Sequence, residues 1–292
     1  MYELIHVRGN SYYINCPAKV GLVRLSGDDV CLIDGGSDKE AGRKVKKLIE
    51  ENGWHLTAIY NTHSNADHIG GNRYLQQHTG CRVFAPGIEC DFTNHTVLEP
   101  SFLYGGYPFK ELRHKFLMAQ ESHAEYLTDE CLPENLRKID LPGHFFSMAG
   151  FISSDGAVYL ADCLSSEETI KKYKITFIYD VAGYLDTLEM VKKLDGEIFI
   201  PSHADATENI VPLAQTNIDS VLSVGDTILR ICAEPHSFED ILQRLFTEYG
   251  LAMTYEQYVL VGSTVRSYLS WLKDSGRTEA FFENNRLLWR AI

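Results

Sequence analysis

Long apolar runs are missing from this 292-residue chain: none approaches the roughly 18 consecutive residues that a membrane span needs. CxxC pairs are missing too. The seven cysteines are odd in number and scattered, which does not suit a disulfide framework and leaves reduced, mostly buried thiols as the expectation. Basic residues are scarce beside acidic ones: 27 Lys and Arg face 40 Asp and Glu, a formal net charge of −13. Nucleic-acid affinity rests largely on counterion release by Lys and Arg, so this balance argues against a phosphate-backbone partner. The opening residues, MYELIHVRGNSYYINC, lack a basic start, an apolar core and a small-residue cleavage site. No membrane partner is expected, and the expected compartment is the cytoplasm.

What is present is an ordinary globular composition, 45% hydrophobic and 23% charged. The length suits one large domain, or one of about 200 residues with a smaller appendage. VGLVRL and VCLIDGG read as neighbouring strands joined by the turn signal SGDD. SDKEAGRKVKKLIEENG has helical spacing at Ala41, Val45, Leu48 and Ile49, with Ser37 or Asp38 as N-cap and Gly53 as the stop. LTAIYNTH and RVFAP read as strands around the short helix GNRYLQQHTG. Residues 88–140 mix aromatics, charges and glycines without clear alternation. They predict an insertion with one or two helices, covering a site. Strands return in HFFSMAGFISSDGAVYLADC around the turn SSDG and in EIFIPSHAD, with a helix over GYLDTLEMVKKLDG between them.

These elements define a domain over residues 1–206. From residue 207 to 292 the pattern is mainly helical and closes on two strands around Asn284 and Asn285, a small winged-helix-like unit. Its acidic balance argues against reading DNA, which leaves packing, site-shaping or formation of a homodimer.

The chemistry is concentrated in NTHSNADHIGG, residues 61–71, where His63, Asp67 and His68 lie on one loop at a strand end. Imidazole and carboxylate suit Zn, and also Fe or Mn. Gly70 and Gly71 predict a sharp turn into the next helix. Alone, the loop has a plain structural reading, with His63 at a strand end and Asp67 capping a helix over 70–79. Three later residues shift the balance. His144 follows Pro142 and Gly143, Asp162 closes the strand AVYLAD, and His203 follows EIFI, each where loops assemble sites.

This pattern resembles the metallo-β-lactamase-fold superfamily over about residues 15–205, with a His-x-Asn-x-Asp-His loop in place of His-x-His-x-Asp-His. The resemblance implies an α/β fold, a four-layer αββα sandwich. It also implies one metal group of His63, position 65, His144 and Asp162, and a second of Asp67, His68, His203 and Asp162, with Asp162 shared. Asp34, in LIDGG, is implied as a support behind the ligands. Asn65 is the departure: a neutral amide oxygen is a weaker donor than imidazole. The expectation is an asymmetric centre holding one or two zinc ions per chain, with Fe or Mn as alternatives.

Cys163, beside Asp162, is a soft ligand or a buried thiol, and strand alternation favours the thiol. His95, His114 and His123 either touch a substrate or cap and face solvent. Tyr104, Tyr107, Phe109 and Phe116 either line an apolar substrate pocket or fix the insertion to the main domain. The function that the resemblance implies is hydrolysis of a small ester, thioester, lactone or amide by metal-activated water, with Asp67 as the catalytic acid–base group. Iron-dependent redox chemistry is one alternative, although Asn65 brings no charge and no flavin domain follows. A non-catalytic metal-binding relative is the other.

Overall fold

The computed structural model describes residues 2–292. A seven-stranded sheet runs in chain order. Its strands are β1 (Glu3–Arg8), β2 (Ser11–Asn15), β3 (Val20–Arg24), β4 (Asp29–Ile33), β5 (His55–Tyr60), β6 (Arg82–Ala85) and β7 (Ala124–Tyr126). The first four strands pair antiparallel and β4 to β7 pair parallel. A second sheet has the order β11-β10-β9-β8, formed by β8 (Leu136–Asp140), β9 (Ala149–Ser153), β10 (Ala157–Ser165) and β11 (Ile198–His203).

Each sheet is apolar on both faces, and that pattern dictates four layers. Val23, Cys31, Ile33 and Phe84 of the first sheet pack on Phe151, Tyr159 and Ile200 of the second. The outer face of the first sheet, with Leu22, Leu32 and Ile59, takes Val45 and Ile49 of α1 (Lys39–Glu51) and Leu75 further along. Asp38 caps α1 through the Ala41 amide. Two short helices follow β5, α2 (Ala66–Ile69) and α3 (Asn72–Thr79).

Residues 88–140 contain α4 (Glu89–Asn94) and α5 (Leu98–Tyr104), but also β7 and β8, which join the two main sheets. The strands are only three and five residues long, too short for alternation to stand out among the charges. The outer face of the second sheet is covered by α7 (Val181–Val191) and α8 (Val211–Ile231), after the short α6 (Glu167–Tyr173). The chain then forms β12 (His236–Ser237), α9 (Phe238–Tyr249), α10 (Tyr255–Asp274), β13 (Thr278–Glu283) and β14 (Arg286–Ala291). The last three strands form a sheet of order β12-β14-β13. Asn284 and Asn285 both take positive φ at its hairpin turn, as a two-residue loop requires.

One apolar cluster runs from Leu160 and Leu164 of β10 through Leu188 of α7 and Val221 of α8 to Leu245 and Leu269. The helices beyond residue 206 thus share a core with the second sheet. No helix among the described residues is long and apolar enough to cross a membrane.

Candidate metal centre

The loop after β5 carries His63 and Asn65, and α2 carries Asp67 and His68. His144 lies between β8 and β9, Asp162 in β10, and His203 at the end of β11. Asp67, His68, Asp162 and His203 form one group of donors; His63, His144 and Asp162 form another. Within each group one donor atom per residue lies within 4.8 Å of the others. The Nε2 atoms of His68 and His203 stand 3.1 and 3.2 Å from the two Asp162 oxygens, and His203 Nε2 is 3.2 Å from Asp67 Oδ2. His144 Nε2 is 3.7 Å from Asp162 Oδ2.

Hydrogen bonds behind the rings set which nitrogen faces inward. Thr62 Oγ1 donates to Asp34 Oδ2 at 2.8 Å, so toward His63 Nδ1, 2.9 Å away, it can only accept. His68 Nδ1 donates to Asp34 Oδ2 at 2.8 Å, and His203 Nδ1 donates to the Pro17 carbonyl at 3.0 Å. Each bond leaves Nε2 as the nitrogen that faces the carboxylates, where a metal would displace any proton it carries. His63 Nε2, His68 Nε2 and Asp162 Oδ1 are buried and have no hydrogen-bond partner. Buried acceptors without a donor are costly, and acceptors converging at ligand-like separations fit a cation. Imidazole and carboxylate donors suit zinc, iron or manganese.

The titration behaviour points the same way. Burial works to lower His203, but Asp162 and Asp67 outweigh it and push it up to about 10. Burial also opposes ionisation of Asp67 and Asp162, yet the neighbouring His68 and His203 hold both carboxyls below their ordinary range. His63 and His144 are lowered, chiefly by burial. The carboxylates call for positive charge at this spot, which a divalent ion satisfies.

Backbone geometry explains the placement. Asp34 has φ 67°, which turns its carboxylate back beneath the loop, where Oδ1 also accepts from the Thr62 amide at 2.8 Å. Asp162 does not end β10, which continues to Ser165. A register shift on either side of Ala161, whose φ is 50°, turns Asp162 out of simple alternation. Gly70 and Gly71 do not make a special turn, since their φ values are −60° and −86°. They are glycines because two backbones meet: a Cβ on Gly71 would lie 2.1 Å from the Gly35 carbonyl oxygen, and one on Gly70 2.2 Å from that of Ser37. Cys163 is fully buried and belongs to neither donor group, in keeping with a packed thiol.

Asn65 stands at the N-cap of α2 but makes no side-chain cap bond. Its Nδ2 donates to Glu99 Oε1 at 2.7 Å, and its Oδ1 lies 3.2 Å from His144 Nε2. Sequence reasoning missed Glu99, on α5, and Glu89, on α4. Glu89 is fully buried and accepts from Ser64 Oγ at 2.6 Å, the Ser64 amide at 3.1 Å and the Ser147 amide at 2.7 Å. It ties the His63 loop to the His144 loop. Burial pushes the Glu89 carboxyl up to about 7 and raises that of Glu99 well above the ordinary range. Nothing in the sequence marks either carboxylate, because only the packing of α4 and α5 buries them.

A cavity of about 700 Å³ opens over the centre, with Asn65, Asp67, His144, Asp162 and His203 at its floor. Phe116, Leu117, Phe177, Leu260 and Val261 form an apolar side, and Ser165, Ser166, Thr169 and Lys172 a polar one. Tyr104, Tyr107 and Phe109 do not line it. Tyr104 and Phe109 line a separate groove with Met253 and Tyr255, and Tyr107 is 74% exposed. Aromatic content alone does not encode toward which side the segment folds; of the four aromatics singled out, only Phe116 reaches the cavity. His95 and His123 are also absent from its lining, and His114 pairs with Glu256 at 3.1 Å instead.

The profile of the Metallo-beta-lactamase superfamily matches residues 13–203. The chain belongs to this superfamily. The likeness to a beta-lactamase domain protein from Burkholderia ambifaria has a TM-score of 0.74 at 15% identity, covering 99% of this chain and 94% of that one. A metallo-beta-lactamase family protein from Thermus thermophilus superposes with a TM-score of 0.71 at 14% identity, covering 99% and 98%. At these identities the superfamily fold is what is shared, C-terminal helices included. A hydroxyacylglutathione hydrolase from Bradyrhizobium sp. (strain ORS 278) is 53% identical over 47 residues, 16% of this chain and 18% of the relative. The match thus spans less than a fifth of that relative's length.

Proposed function

We propose that the protein is a metal-dependent hydrolase of a small ester or thioester, with lactones and amides in the same chemical class. The observation that carries this reading is the convergence of imidazole Nε2 atoms and two carboxylates at the floor of a cavity large enough for a small acyl substrate. His63, His144 and Asp162 would hold one divalent ion, and Asp67, His68, Asp162 and His203 a second, zinc being the expected metal. Such an ion supplies Lewis acidity toward a carbonyl and a water nucleophile usable near neutral pH.

The protein's own groups do the rest. Asp67, partly open to the cavity, takes the proton of the attacking water and returns it to the leaving group. Phe116, Leu117, Phe177 and Leu260 seat an apolar acyl arm and exclude bulk water, while Lys172 and Thr169 face a polar or anionic portion. The short stretch shared with a thioester-cleaving relative supports a thioester as the first substrate to try.

Metal analysis of protein purified without chelator, followed by a panel of thioesters, esters, lactones and phosphodiesters, tests the reading. Zinc with turnover of an acyl substrate supports it, and Asp67→Ala should then lower kcat by roughly 100-fold or more. Iron with visible absorbance and no hydrolysis would redirect it to redox chemistry. Absence of any metal under all loading conditions would overturn it in favour of a binding role.

A further inference from the structure

An asparagine in a metal loop reads as a weakened ligand, but the surroundings of Asn65 are built to orient its amide. The residue type favours capping its own helix, yet its side chain makes no bond to the α2 amides. It spans two partners instead. Nδ2 donates to Glu99 Oε1 at 2.7 Å, and Glu99 is only 5% exposed. Oε1 is the acceptor in this bond, so the nitrogen of the amide lies on the Glu99 side. The oxygen, the amide's one atom with lone pairs to offer, is thereby turned to the floor of the cavity, 3.2 Å from His144 Nε2.

As it stands the pair is a hydrogen bond, His144 Nε2–H to Oδ1; with that proton displaced, the same separation suits two donors on one ion. With bonds of about 2.1 Å, atoms 3.2 Å apart subtend roughly 100° at the metal, within the range of tetrahedral and octahedral centres. The other donor separations around Asp162, 3.1, 3.2 and 3.7 Å, are of the same kind. A hydrogen-bond acceptor at the far end of the amide also strengthens the ligand, since Oε1 accepting from Nδ2–H leaves more electron density on the amide, part of which resonance places on Oδ1.

We propose that Asn65 Oδ1 is a ligand of the first metal group, alongside His63, His144 and Asp162, and that Glu99 is the positioning residue that makes it one. The centre then keeps two metals per chain, and its first group has two nitrogens and two oxygens. An amide oxygen is harder than the imidazole it replaces, so the first group takes Mn²⁺ more readily, relative to Zn²⁺, than it would with His at position 65. The inference rests on reading the two donor groups as metal sites.

The test uses the full-length protein stripped with chelator and dialysed against Zn²⁺, Mn²⁺ or an equimolar mixture, with bound metal counted by elemental analysis and Mn²⁺ followed by electron paramagnetic resonance. Wild type is expected to hold two ions per chain. Glu99→Gln should weaken the first group by roughly 10- to 100-fold while the second keeps its ion. The double variant Asn65→Asp with Glu99→Gln returns a carboxylate oxygen to position 65 and should restore two ions. A purely structural bond would show no such rescue. Asn65→His should shift the first group's preference toward Zn²⁺ by ~10-fold or more.

Unchanged stoichiometry and affinity in Glu99→Gln overturns the proposal while the metal-site reading stands. The same holds if Asn65→His leaves the metal preference where it was. If Glu99→Gln fails to fold, the preference change in Asn65→His decides alone. A wild type that binds neither ion overturns the underlying reading of the groups as metal sites, and with it the proposed hydrolase.

Discussion

The Asp34 carboxylate accepts from His68 Nδ1 at 2.8 Å, and both side chains are buried. Its oxygens also receive the Thr62 amide and hydroxyl, each at 2.8 Å. One side chain therefore fixes the tautomer of His68 directly and that of His63 through Thr62. Asn tolerates the positive φ of this position but brings an NH₂ group where donors already point. We expect Asp34→Asn to fold and to lose roughly 10- to 100-fold in zinc affinity. Competition with a chromophoric chelator measures it, and wild-type affinity would count against Asp34 as the support of both rings.

Glu89 gives a pH dependence of stability with a definite sign. Its carboxyl is raised from an ordinary 4.5 to about 7, chiefly by burial. Between those two values the native state binds more protons than the unfolded chain, so stability falls as pH rises through this window and levels off above it. The shift corresponds to something on the order of 3 kcal/mol. Glu89→Gln removes this component, and urea unfolding at pH 5 and pH 8 should show a flatter profile in the variant. A profile parallel to wild type would place the titration elsewhere.

Gly71 admits no side chain. The methyl of alanine would stand 2.1 Å from the Gly35 carbonyl oxygen and 3.2 Å from the Gly42 Cα, both of them backbone atoms that cannot rotate away. We expect Gly71→Ala to cost about 3 kcal/mol or more and to displace the loop bearing His68. Thermal unfolding together with zinc stoichiometry reports both effects; a melting temperature within a degree of wild type would show that the two loops can separate cheaply.

Much of the centre could be read before any coordinates. His63, Asp67, His68, Asp162 and His203 each follow or sit in an apolar strand whose pattern shows in the chain, His144 precedes one, and the structure brings all six together. Asp34 was legible for the same reason, at the end of β4. Glu89 and Glu99 were not, since a charged residue on a short helix looks solvent-facing until its neighbours bury it. The aromatic segment misled in the opposite direction: Tyr104 and Phe109 have the chemistry of a pocket wall, but Tyr104 packs on Phe109 and Phe109 on Tyr255, beyond the site. The role of Gly70 and Gly71 depends on a second backbone stretch about thirty residues earlier, which local turn rules do not see.

α10 holds no candidate ligand, yet Gln257, Leu260 and Val261 reach the cavity wall while Val261 and Leu269 are anchored in the shared core. Under the proposed function, reactivity and selectivity are thereby lodged in different stretches of one polypeptide. On the proposed hydrolase reading, the half-buried Gln257 and Leu260 can be varied to admit other substrates without touching the chemistry beneath, which makes this turn the natural place to look for, or to engineer, a change of diet.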